Sequence, residues 1–206
     1  MTEAARLDLF TRVLAVGFLV SIPISGSLWL SNRLYPLVPF VPGIGAFPPL
    51  IDYGLFAALV ALLAAIAIWP RLNEVKVALL ALLAVLFLQD QNRLWSSFYE
   101  FTLFFLVLVS IRSNKSRDEE AGRILNTARF ILAGVYFWSG FLKITPSFFH
   151  GTFPWFVAPL TAHLPFLTPY IPLLAVIAAV AETLFAVGLL TTFYRKVSFW
   201  EATIMH

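Results

Sequence analysis

Between Tyr53 and Trp69 the chain reads YGLFAALVALLAAIAIW, and apolar side chains occupy every face a helix of that length would have. Val77 to Leu88 and Tyr170 to Thr192 repeat the pattern, the second broken only by Glu182 among its ionisable groups. A helix on a water-soluble protein keeps an apolar stripe and a polar face. These runs have no polar face. Barrel strands that cross a membrane alternate apolar and polar residues, and these do not. In hydrocarbon each backbone amide and carbonyl must be paired within its own segment, which leaves the helix. The expected fold is therefore all-α, a multi-pass transmembrane helical bundle. Only 12% of the 206 residues are charged, about half the share usual in soluble domains.

A spanning helix needs about 20 residues. Spans are expected near 9–30, 53–69, 72–89, 95–111, 124–144 and 170–192, all in one transmembrane domain. Pro23, with Ser21, Ser25, Gly26 and Ser27 around it, predicts a kink in the first, because proline removes a backbone donor and clashes one turn back. Arg12 can snorkel to the headgroups. Residues 31–52 and 145–169 form the outer segments, and 112–123 is a hydrated cytoplasmic loop. Asp52 stands where a helix start favours a carboxylate. After a turn at Tyr194, Arg195 and Lys196, SFWEATIMH begins a seventh apolar run, as expected of the front part of a longer protein.

Orientation follows from lysine and arginine placement. With the N-terminus in the cytoplasm, Arg6, Arg12, Arg71, Lys76, Arg112, Lys115, Arg117, Arg123, Arg129, Arg195 and Lys196 fall on the inner side. Arg33, Arg93 and Lys143 fall on the outer side, a strong positive-inside bias.

Several chemistries have no footing. The chain has no cysteine, which removes disulfides and thiolates. His150 and His163 belong to no metal-ligand spacing and read as loop residues. There is no phosphate-binding glycine loop and no nucleophile elbow. A net charge of +3 in short clusters sets topology and does not make a nucleic-acid surface.

Ionisable groups inside spans are costly and face a bundle interior or a cavity. Glu100, Arg129, Lys143 and Glu182 are such groups. Lys143 lies at the outer end of the fifth span and Glu100 roughly 7 Å inside the fourth. Lys143 is therefore expected to face Glu100 or the polar knot Gln89–Arg93, which holds Asp90 and Arg93. Glu182, near mid-membrane, is expected to pair with Arg129 if the fifth and sixth spans are neighbours, a pair that fixes geometry. The rings of Tyr136, Phe137, Trp138, Phe148, Phe149, Phe153, Trp155 and Phe156 have two readings. They form an interfacial aromatic belt, or with Lys143 they hold a quinone-like ring or a lipid tail.

The stretch YFWSGFLKITPSFFHG resembles the vitamin K-dependent gamma-carboxylase-like proteins, including the bacterial horizontally transferred transmembrane-domain proteins. The matching positions are Tyr136, Phe137, Ser139, Gly140 and Lys143, then Phe149 and Gly151. LQDQNRLWSSFYEF looks like the family's earlier outer motif at Asp90, Asn92 and Tyr99. AETLFAVGLL, through Glu182, is similar to the glutamate-bearing helix of those proteins and of the distantly similar DoxX/DoxD membrane proteins. The resemblance implies a bacterial inner membrane and, for Lys143, a base acting with a quinone or hydroquinone. Leu94 to Phe98 carries no histidine where the carboxylase pattern has one, so another redox or lipid-linked role is implied.

An outer-leaflet pocket is thus expected. Lys143, Glu100 and Asp90 are its candidate acid–base groups, and Arg93, Tyr99, Tyr136 and Trp138 its candidates for holding the quinone. Two other readings stay open. One is a non-catalytic structural or assembly subunit with a membrane-protein partner. The other is a small-solute transporter. Membrane lipid is the common surrounding, and nucleic acid is not an expected partner.

Overall fold

A computed structural model describes residues 1–32, 36–43, 45, 47–94, 96–111 and 116–191. Among these the regular structure is entirely helical, without a strand. The α-helices are α1 (Glu3–Ile24), α2 (Gly26–Trp29), α3 (Pro49–Ile68), α4 (Asn73–Gln89), α5 (Ser96–Ser110), α6 (Arg117–Leu142), α7 (Phe153–His163) and α8 (Ile171–Leu190). Tight 3₁₀ turns cover Gln91–Arg93 and Pro165–Tyr170, and a π turn covers Phe148–Thr152. The chain divides into two compact units, Met1–Leu125 and Asn126–His206, with the division inside α6. Arg33, Trp95, Arg112, Lys115, Thr192, Arg195, Lys196 and the run expected to begin a seventh helix lie outside the described residues.

In the first unit α1 packs on α3, α3 on α4, α4 on α5, and α5 back on α1. Each long helix buries one narrow stripe. Leu59, Leu63 and Ile66 of α3 and Leu79, Leu83 and Leu86 of α4 are sealed, at the four- and three-residue spacing that lines one helix face. An aromatic ladder joins α1 to α5: Phe18 stacks flat on Phe101 at 4.6 Å, and Phe10 meets Phe104 edge-on at 5.7 Å. The rest of each helix faces outward and is still apolar, as at Val13, Val16 and Val20 of α1. α1, α3 and the stretch Pro165–Leu190 are long and apolar enough to cross a membrane. α4 and α5 are shorter, about 26 and 23 Å at the usual rise.

The expected interruption of the first span is present, and the boundaries move. α1 begins earlier than residue 9 because Thr2 accepts the Ala5 amide and caps the helix, with Glu3 in the first turn. It stops just after Pro23, at Ser25. The Ser25 hydroxyl donates to Ser21 O at 2.8 Å and accepts from the Trp29 indole at 2.8 Å, which ties the short α2 to the break. Arg12 donates to Ala67 O in the last turn of α3 at 2.7 Å, where a cation complements free carbonyls.

Two larger corrections concern segments expected to be irregular. The loop expected over 112–123 is helical from Arg117, because Asp118, Glu119 and Glu120 occupy the first turn of α6, where carboxylates suit the exposed amides. The outer segment expected over 145–169 is also helical for most of its length. In the π turn the Phe153 amide reaches back to Phe148 O. Pro154 then sits in the first turn of α7, where its missing N–H is tolerated.

Candidate functional site

In the second unit Gly140 sets the distance between α6 and α8. A Cβ there would lie 2.7 Å from the Thr183 amide nitrogen and 2.8 Å from Ala179 O, and closer still to the Thr183 hydroxyl. Any side chain would push the helices apart, so glycine is required. The Thr183 hydroxyl donates to Ala179 O at 2.9 Å and is thereby satisfied inside its own helix. One turn along α6, Tyr136 packs edge-on against Phe185 of α8, with centroids 4.6 Å apart.

This close contact decides the partner of Lys143. α6 ends at Leu142, and the Lys143 amide closes the helix onto Gly140 O at 3.1 Å. The Lys143 ammonium donates to Glu182 Oε2 in a short ion pair. The two side chains are 36% and 13% exposed, so one edge of the ammonium stays open while the carboxylate is nearly covered. Among the described residues Glu182 is the hydrogen-bond partner of this ammonium, which leaves two of its three N–H donors for a ligand.

The expected partners are thereby revised. Lys143 pairs with Glu182 instead of Glu100, Asp90 or Arg93. Glu182 pairs with Lys143 instead of Arg129, which donates to Asn126 Oδ1 at 2.9 Å. The reason is helical arithmetic. Gly140 facing Ala179 and Thr183 brings Lys143 within reach of residue 182, whereas Arg129 lies fourteen residues, about 21 Å, further down α6. Glu182 is also the twelfth residue of α8, so Lys143 is level with the middle of that helix. α8 also packs against the π turn and α7.

The aromatic residues divide. Tyr136 is half-buried. Trp138 is exposed and clusters with Phe137 and Phe141 at centroid distances under 6 Å. Trp155 and Phe156 of α7 are exposed too. An apolar groove of about 180 Å³ runs between Phe130, Ala133 and Phe137 of α6 and Ala186, Val187 and Leu190 of α8. Lys143 is not in its lining.

In the first unit Asp90 and Arg93 belong to the core, not to an open pocket. The Arg93 guanidinium, 1% exposed, donates to Leu28 O at 2.9 Å, Trp29 O at 3.2 Å, Leu86 O at 3.0 Å and Gln89 Oε1 at 2.8 Å. Asp90 Oδ1 accepts from the Val38 amide at 3.1 Å and the Asn92 amide at 3.3 Å. The Arg93 Nε stands 4.0 Å from Asp90 Oδ2. Together they hold the turn after α4 against the end of α2 and the strap near Val38. Glu100 is half-buried on α5. Tyr99 is exposed and borders an apolar groove of about 300 Å³ between α4 and α5, beside Phe98 and Thr102.

Sequence inspection missed the burial of Asp52 and Lys76 and the partners of Asp8. Asp52, expected only to favour the start of its helix, is buried and accepts from both the amide and the hydroxyl of Ser31, at 2.6 and 2.9 Å. Asp8 accepts from Arg71 and from Arg117, each at 2.9 Å. Lys76 is buried in the polar first turn of α4, ahead of the apolar run that starts at Val77. Nothing in local spacing signals these contacts, since Asp8 is 63 and 109 residues from its partners. Among the described residues no group of histidine, aspartate and glutamate has the arrangement of a metal site. Compared with family models, curated proteins and solved structures, the chain has no match.

Proposed function

We propose that the protein is a multi-pass integral membrane protein, with its N-terminus in the cytoplasm, that binds the head of a quinone or hydroquinone at the Lys143–Glu182 pair. The pair itself carries the reading. YFWSGFLK and AETLFAVGLL are the two segments that resemble the gamma-carboxylase-like and DoxX-like membrane proteins, and their ionisable residues meet in one ion pair. Such a pair is costly in hydrocarbon and is kept where it does work. A quinone offers carbonyl acceptors to the open ammonium, and a hydroquinone offers hydroxyl donors to the carboxylate. The exposed rings of Trp138 and Phe141 are on the same helix end, and the narrow groove beyond Phe137 suits an apolar tail more than a ring.

The test is purification in mild detergent followed by mass spectrometry of extracted lipids. The wild-type chain is expected to retain a quinone, and Lys143→Ala and Glu182→Gln to lose it at unchanged yield. A wild-type protein without quinone, or variants that keep it, would sink the proposal.

The tight approach at Gly140 favours a second reading, in which the pair locks α6 to α8 for a structural or assembly role. In that case Lys143→Ala lowers yield and thermal stability together, with no effect on bound lipid.

A further inference from the structure

At one end of the first unit, the first turns of α1 and α4, the turn at Pro70–Arg71 and the start of α6 enclose a cavity of about 210 Å³. That is the room of about seven waters. Arg71, Lys76 and Arg117 line it, together with Asp8 and Glu120. Among the described residues three cations face two carboxylates, an excess of one positive charge.

The carboxylate best placed to answer that excess is already engaged. Asp8 Oδ2 accepts from Arg71 Nε at 2.9 Å and Nη2 at 2.8 Å, and its Oδ1 accepts from Arg117 Nη2 at 2.9 Å. Lys76 is left with a neutral partner. Its side chain is in a residue only 5% exposed, and its ammonium donates to Asn73 Oδ1 at 3.0 Å. Among the described residues no carboxylate lies within 4.0 Å of it. Glu74 is exposed and two positions away, a spacing that does not face Lys76 on a helix. The first turn of a helix already carries partial positive charge from its free amides. Among the described residues a buried cation in that position thus has no carboxylate in direct contact, which burial favours.

We propose that this cavity binds a phosphate group. An oxyanion would accept from the ammonium of Lys76 and from the guanidinium edges that Asp8 leaves open, and arginine forks match phosphate oxygens well. The group can come from an anionic phospholipid headgroup or from a soluble phosphate. The lipid source rests on the membrane proposal, because the positive-inside bias then puts this end at the inner headgroup level. The soluble source does not.

The full chain in a neutral detergent can be titrated with inorganic phosphate, with phosphatidylglycerol and with phosphatidylcholine at matched ionic strength, following the unfolding midpoint. Phosphatidylglycerol or phosphate is expected to raise the midpoint, as a ligand of the native state must. Lys76→Met should need about tenfold more ligand for the same shift. Arg6→Gln, which removes an exposed cation paired with Glu3 outside the cavity, should respond as wild type. A response to phosphatidylglycerol alone assigns the site to the headgroup, and a response to both assigns it to phosphate from either source. No response to either, or an unaltered response in Lys76→Met, overturns the proposal. If Lys76→Met cannot be isolated, Arg117→Gln is read by the same criterion. A chain that stays monomeric without detergent would refute the membrane proposal while leaving the phosphate titration decisive.

Discussion

Among the described residues Arg93 in the first unit has at least four hydrogen-bonded acceptors, three of them backbone carbonyls, and it is sealed from its surroundings. Lys143 in the second unit has one carboxylate and an exposed edge. Both are cations among apolar helices, and both were expected to line one pocket. Their difference lies in how much donor capacity is used. A guanidinium whose donors are committed to main-chain carbonyls acts as a bracket between loop and helix ends, with little left for a ligand. An ammonium with two free N–H groups can still do chemistry. Residue type and depth along a helix do not distinguish the two cases. The count of satisfied donors does.

The largest effect should come from Arg93→Met. It leaves buried carbonyls without donors and should cost about 3–5 kcal/mol, as when one member of a buried polar network is removed. Yield in detergent and the unfolding midpoint measure it, and a near-wild-type midpoint would break the comparison. Gly140→Val comes next. Its extra atoms meet backbone groups of α8, and overpacking of this kind should cost about 1–3 kcal/mol. The same variant should also weaken the Lys143–Glu182 pair, so quinone retention should fall with stability. Smallest in stability is Lys143→Met, at under about 1 kcal/mol for a partly exposed ion pair. A loss as large as that of Arg93→Met would show the pair to be a second bracket and collapse the distinction.

Much of the helical layout was legible. The expected span over 72–89 lies within a residue of α4 at each end, and 95–111 within one of α5, because a continuous apolar run flanked by turn residues admits one local structure. Errors gathered where polarity was taken for irregularity. RDEEAGR reads as a loop by composition, yet its three acidic residues are what start α6. FFHGTFPWF reads as broken because of Gly151 and Pro154, yet proline is at home in a first turn. At the candidate site, Lys143 and Glu182 were both identified as residues worth weighing. Their pairing was not, because equal depth was judged from helix ends, and α8 extends well past the end of α6.

The sequence alone determined that these segments are helices without a polar face, since period and composition are properties of the local chain. It also determined which few ionisable residues such helices must accommodate. Only the tertiary structure decided which of those residues meet, because partners such as Asp8 and Arg117, or Lys143 and Glu182, are set by where two helices touch. That point of contact can hang on one missing methyl group, as at Gly140, and no spacing along the chain encodes it.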